Sequence, residues 1–355
     1  MAAILLAAAA CGVHRSPPTI ALSYPAYARA YATVAEALVR PGGDRPRLLV
    51  DTVDIQESAE SMVAWAQRVG LLPEVVGVVG PSGSRLALAT APVYNAAEIP
   101  QVVPVATAHQ LALAGPWTFP MAPDDSVEGA FLADYIGRAV GARRVILFYE
   151  NDEFGQSLRG SLLKEFLRHG ITVLAQIGVF PNSDFEPLLD AALVEGRPDA
   201  LVMATRATEA GAIANLAASR LPGVPVVAAD GALVPDRLVQ LAGTGLANLR
   251  AVAFWVPDTT DPRQREFIAE TRRVTGHDPD ADRAMIQDGI ALLTTATDEV
   301  GTDRTAIRAW LRSLGQERPA FRGITGLISF APGRAHALHM VRIAADGRIV
   351  PEPIR

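Results

Sequence analysis

The sequence predicts an α/β protein made of two doubly wound Rossmann-like lobes joined by crossing strands. Three observations carry this. Short β-branched runs alternate with longer amphipathic stretches, which is the rhythm of a parallel sheet with helical crossovers. The chain has 355 residues, half of them hydrophobic, enough to bury the cores of two domains of ordinary size. The alternation also restarts near Asp124, after a stretch bearing Pro120 and Pro123, so one set of βα units follows another.

Taken in order, residues 19–24 predict a first strand and 27–39 a helix closed by Pro41-Gly42-Gly43. Residues 47–52 predict the second strand. In 58–69 Met62, Trp65, Ala66 and Val69 fall on one face, the 3.6-residue period of a half-buried helix. The apolar run 75–79 reads as a buried strand, 84–97 as a helix and 102–105 as a strand between Pro100 and Pro104. The second set reads as helices over 127–140, 156–169, 185–194, 209–219 and 235–241. Its strands fall at 144–149, 172–179, 200–204 and 226–229. Residues 251–255 read as a strand that leaves this set. Three helices follow over 263–275, 283–300 and 304–314, then a β-rich tail with strands near 326–330 and 337–344. Segments near 120–125, 255–262 and 331–334 bear Pro or Gly and are candidate crossings. The expected division is a leader and linker over 1–18, one lobe from 19–122 plus 253–330, and the other from 123–252 plus 331–355.

Composition narrows the function. The formal net charge is −6, and no basic stripe interleaved with aromatics is present, which argues against a nucleic-acid partner. The single cysteine, Cys11, excludes an internal disulfide and a cysteine-rich metal site. Residues 2–10 form an apolar run ending in small residues directly before Cys11. That order is similar to an export signal ending at a lipidated cysteine; the alternative is an unstructured alanine-rich N-terminus. No Lys or Arg precedes the run, and Ala8 stands where such signals usually carry Leu. The run is too short to span a bilayer, which needs about 20 residues.

Ligands of doubly wound sheets bind beyond the carboxyl ends of the strands, so the loops there are the candidates. Strand 75–79 runs into Gly80-Pro81-Ser82-Gly83, and a helix begins at Ser84. The free N–H groups of a helix start, with a hydroxyl beside them, make an anion site. Ala106-Thr107 repeats the arrangement after the next strand, opening a further helical stretch. Ser and Thr at such positions also serve simply as helix caps. From the second set come Asn151 to Gly155, Thr205 to Thr208, and Asp230-Gly231. An acid at a strand end can meet a ligand cation, or form an ordinary Asp-Gly turn.

These segments together resemble the type I periplasmic solute-binding proteins, in particular the branched-chain amino acid (leucine/isoleucine/valine) binding family of ABC transporters. The resemblance rests on Gly80-Pro81-Ser82-Gly83-Ser84, Glu98-Ile99-Pro100 and Ala106-Thr107; on residues 144–148 followed by Asp152 and Phe154-Gly155; on Asp184-Phe185 with Leu188-Leu189; on Gln287-Asp288; and on Phe321 to Gly326 with Phe330. It covers nearly the whole chain from residue 45 onward. It implies that Ser84, Ala106 and Thr107 bind a ligand carboxylate, that Asp230 pairs with its ammonium, and that Phe154 closes over it. Arg206 or Ala207 falls where the family often has an aromatic, and Arg206 could bind a second anionic group. Asp replaces the family's Glu, Phe154 lacks a phenol hydroxyl, and the first loop is cut to residues 23–27. These departures bear on which ligand is taken.

The resemblance further implies a monomer outside the cytoplasmic membrane, anchored through Cys11, with no cofactor, delivering an amino acid or related carboxylate to an ABC permease. A ligand-sensing receptor of the same fold is the alternative. A hydrolase is disfavoured, because Ser82 lacks the flanking glycine of a nucleophile elbow and no histidine stands as its base. Gly77 to Gly83 lacks dinucleotide spacing. His336 and His339 would point to opposite faces of a strand, so no metal pair is expected. The pairs Asp124-Asp125 and Asp152-Glu153 read as solvated turns, and Asp280, Asp282 and Arg283 as a helix start.

Overall fold

A computed structural model describes residues 17–24, 33, 47–52, 58–333 and 337–353. Cys11, the helix expected over 27–39 apart from residue 33, its Pro-Gly-Gly closure, loop residues 25–27, Arg334 and His336 lie outside these residues.

The first sheet contains β1 (Thr19–Tyr24), β2 (Arg47–Thr52), β3 (Val75–Val79), β4 (Gln101–Val103) and β5 (Thr118–Pro120), in the order β2-β1-β3-β4-β5. All its pairs are parallel. Every residue of β3 is buried, as a parallel strand covered on both faces requires. Strand β5 was not foreseen. Its approach is fixed by Asn95, whose Nδ2 donates to the carbonyls of Ala91 (2.8 Å) and Ala114 (3.1 Å) while its Oδ1 accepts from the Trp117 N–H (3.0 Å). The helix α1 (Ala59–Gly70) buries Met62, Trp65, Ala66 and Val69, the face the periodicity gives. It is followed by α2 (Ser84–Ala96).

The second sheet contains β6 (Arg144–Glu150), β7 (Thr172–Val179), β8 (Ala200–Ala204), β9 (Val226–Ala228), β10 (Leu249–Ala253), β13 (His339–Ile343) and β14 (Ile349–Pro351). Its order is β14-β13-β10-β9-β8-β6-β7. The strand expected to leave this set does not leave it: β10 pairs parallel with β9 and antiparallel with β13. The tail thus closes the second sheet. Between them β11 (Phe321–Arg322) and β12 (Leu327–Ile328) form a separate short hairpin.

The helices of the second set are α3 (Asp125–Asp134), α4 (Glu153–His169), α5 (Phe185–Leu193), α6 (Ala207–Arg220) and α7 (Pro235–Leu241). The first of these runs on into a π-helical turn, Tyr135–Ala139. Then come α8 (Pro262–Thr275), α9 (Ala281–Val300) and α10 (Arg304–Ser313). Although late in the chain, α9 and α10 cover the first sheet. A Cβ on Gly77 of β3 would lie 2.8 Å from the Leu293 side chain, so the missing side chain sets the approach of α9. Arg304 of α10 donates to the carbonyls of Val75 (2.8 Å), Leu72 (2.8 Å) and Ala97 (3.1 Å). The chain therefore passes between the sheets at residues 121–124, at 254–261 and again before β13.

Asp288 on α9 explains one family signature. Its carboxylate accepts from the N–H groups of Ile324 (2.6 Å) and Thr325 (2.8 Å) and from the Thr325 hydroxyl (2.6 Å). A Cβ on Gly323 would sit 2.5 Å from that carboxylate. The Gly-x-Thr segment is a latch on the helix, away from the cleft.

Candidate functional site

A cavity of about 660 Å³ lies between the carboxyl ends of the two sheets. Ser84, Ala106 and Thr107 line it from the first set; Phe154, Arg206 and Asp230 line it from the second. The six residues singled out from the sequence thus converge on one space. Each reaches it through local backbone chemistry.

On the first side, α2 begins at Ser84 with Gly83 as its N-cap and no side chain capping its first turn. Its leading N–H groups are therefore open to a ligand. Gly80 at the end of β3 has φ +104°, and a Cβ there would lie 2.6 Å from the Ser23 carbonyl oxygen, so the turn into α2 needs glycine. The Ser84 hydroxyl accepts from the Ala108 N–H at 3.3 Å. Thr107 differs from expectation. Strand β4 ends at Val103 and only a short 3₁₀ turn, His109–Leu113, follows, so Thr107 sits in the irregular segment between them rather than at a helix start. Its residue is 3% exposed, and its hydroxyl has no hydrogen-bond partner.

On the second side, Asp152 caps α4 by accepting from the Gly155 N–H at 2.9 Å, and Phe154, on the first turn so fixed, lines the cavity. Phe154 packs over Gly231, where a Cβ would lie 2.9 Å from its ring. Asp152 is thus no solvated turn residue. It also accepts from Arg206 at 2.9 Å. Arg206 forms a second ion pair with Glu150, whose other oxygen accepts the Arg206 N–H at 2.9 Å. The guanidinium lies 5.4 Å above the Phe154 ring. Its charge is already shared between two carboxylates, so it is not the open second-anion receptor that its position implied.

Acids dominate the floor. Asp230 donates its backbone N–H to Glu128 Oε1 at 2.8 Å, and one oxygen of its own carboxylate is buried without a partner. Glu128 and Asp125 are fully buried on α3. Neither oxygen of Asp125, nor Glu128 Oε2, has a hydrogen-bond partner. Burial pushes Asp125 up to about 7, with the charges of Asp230 and Asp124 added, and Glu128 well above the usual carboxylate range, with those of Asp230 and Asp125 added; burial alone raises Asp230 to about 6, against the lowering pull of Glu128 and Arg206. The reading of Asp124-Asp125 as a solvated pair is therefore half wrong. Asp124 is a partly exposed N-cap, while Asp125 faces inward because the first helical turn rolls it under the cleft. Asp282, on the first turn of α9, lines the cavity too, and burial beside Asp280 and Asp230 drives it upward as well. Sequence reasoning also passed over Phe180, which lines the cavity yet is 56% exposed.

Among the described residues no group of three or more His, Cys, Asp or Glu side chains is placed to hold a metal ion, and no helix is long and apolar enough to cross a membrane.

Comparison with known proteins places this arrangement. A curated amino acid binding protein of Pseudomonas aeruginosa is 24% identical over 294 residues, 81% of this chain and 77% of that protein. Among solved structures, a leucine binding protein of Thermotoga maritima superposes with a TM-score of 0.83 at 21% identity, covering 95% of this chain and 98% of that one. A solute binding protein of an ABC transporter from Rhodopseudomonas palustris BisB5, in complex with 3,4-dihydroxybenzoic acid, gives a TM-score of 0.80 at 18% identity, covering 94% of each chain. The sequence pattern of the periplasmic binding protein family matches residues 14–347. With two wound lobes, a cleft between them and a family pattern spanning nearly all of its length, the chain belongs to the periplasmic binding protein family.

Proposed function

We propose that this chain is the extracytoplasmic binding component of an ABC importer, and that its ligand is an α-amino acid or close relative held between the lobes. Family members are solute-binding proteins, and the finer reading rests on one observation. The cavity has an anion-binding end, the open first turn of α2 with the Thr107 hydroxyl, and an acidic end at Asp230. A zwitterion satisfies both ends at once, whereas a simple aromatic acid leaves Asp230 without a cation. Closure of the second lobe would seal Phe154 over the ligand, and only the ligand's preference for the closed form can drive it. Anchoring through Cys11 and docking to a permease belong to this reading.

A thermal-shift screen of the purified chain tests it. Ligand at about 100 times its dissociation constant adds ~2.7 kcal/mol of stability, a clear rise in melting temperature. A rise with amino acids supports the reading. A rise confined to aromatic acids without an amine overturns it.

A further inference from the structure

The charges around the cavity do not balance. Glu150, Asp152, Glu209, Asp230, Asp236 and Asp282 line it, against Arg85, Arg206, Arg237 and Arg283. Two of the arginines are demonstrably committed. Arg206 is held by Glu150 and Asp152, and Arg283 pairs with Asp280 at 3.0 Å, behind the cavity wall. Arg237 sits at the exposed rim and donates to the Thr208 hydroxyl, and Arg85 faces Asp152. Asp230 and Asp282 make no ion pair with any described residue, although they lie close enough for each to oppose the other's charge.

An acid in the first turn of a helix ordinarily complements the helix dipole from solvent. Asp282 occupies that position on α9 but does so beside Asp280 and Asp230, whose like charges outweigh the one favourable charge on it, that of Arg283, which also pairs with Asp280. Placing it there costs stability in the empty protein, a pattern found where function needs the group. A second observation points to a ligand. Asp230 lines the cavity, and one oxygen of its carboxylate is buried without a hydrogen-bond partner. Among the described residues no three such acids are grouped to hold a metal ion, and a single organic cation is the simpler partner for two separate carboxylates. Val105, Val179, Phe180 and Val234 also line the cavity and give a methylene stem an apolar wall to lie along.

Resting on the amino-acid reading above, we propose that Asp282 is a specificity-determining residue: Asp230 takes the ligand's α-ammonium and Asp282 takes a second, side-chain cation. The preferred ligand is then an α-amino acid with an amino or guanidino side chain, not an aliphatic one.

The test is calorimetry on the full purified chain with lysine, ornithine, arginine, leucine and benzoate. Basic amino acids are expected to bind about tenfold or more tightly than leucine, the scale of one partly screened charge pair. Asp282→Asn should cut the ratio of lysine to leucine affinity by about tenfold. Its circular dichroism melt reports folding, and if it does not fold, the ranking by the native chain decides alone. Leucine binding as tightly as lysine, or a ratio unmoved by Asp282→Asn, overturns the assignment of Asp282 while leaving the amino-acid reading intact. Binding of benzoate with no amino acid bound overturns both.

Discussion

Replacing Asp125 by asparagine offers the sharpest check on the electrostatics of the floor. Asp125 is fully buried on α3, neither oxygen has a hydrogen-bond partner, and Asp230 and Asp124 add like charge. Burial therefore moves its titration from the ordinary 3.8 to about 7. The sign follows from proton binding. Between about pH 4 and 7 the folded chain holds a proton that the unfolded chain has released, so stability from this group is full below pH 4 and is lost as pH rises through 7. The full displacement corresponds to ~4 kcal/mol, and about 2–4 kcal/mol is expected once relaxation around the buried group is allowed for. Asparagine keeps the shape and never ionises. Urea unfolding of the ligand-free chain at pH 5 and pH 8 should show the native protein losing stability at the higher pH, with Asp125→Asn keeping about 2–4 kcal/mol of what is lost. At pH 5, more than a unit above the unfolded value, the variant should lead by a smaller margin, about 1–2 kcal/mol. A variant with the native pH dependence, or one less stable than the native chain at pH 8, would refute the claim that a buried, unpaired carboxyl underlies the cleft.

Other substitutions separate binding from scaffolding. Asp230→Ala should cost about 2–5 kcal/mol of affinity for an amine-bearing ligand, measured by calorimetry; unchanged affinity removes Asp230 from the site. Arg206→Ala leaves Glu150 and Asp152 facing each other without their shared cation, so a loss of about 1–3 kcal/mol is expected in urea unfolding, with its 29% exposure tempering the penalty. A stable variant that instead loses affinity for a dianionic ligand would restore the second-anion role. Gly155→Ala puts a Cβ 2.1 Å from the Glu150 carbonyl oxygen, and a fall in stability of about 1–3 kcal/mol or more should accompany the backbone shift. A melting temperature equal to the native one would mean that the turn into α4 is looser than described.

What could be read from the sequence was whatever depends on neighbours along the chain. The helix start at Ser84, the loop carrying Phe154 after strand 144–149, and the Asp-Gly at a strand end each follow from a few adjacent residues, and each reaches the cavity. The βα order was legible for the same reason, since periodicity is local. Misreadings occurred where a partner lies far away. Strand β10 leads toward helices that cover the other sheet, but its edge is claimed by β13, some 90 residues later. Arg206 looked like a ligand receptor because its partners, Glu150 and Asp152, sit on a different strand and loop. In sequence Asp125 reads as a solvated turn acid and Asp282 as part of a helix start; only the folding of α3 and α9 against the loop carrying Asp230, 102 residues beyond Glu128, turns them into crowded carboxyls. The charge excess of the cleft is therefore a property of assembly. A family resemblance can pass on the carboxylate-and-ammonium scheme, but the extra acid that would discriminate among amino acids arises from elements that no sequence window contains together.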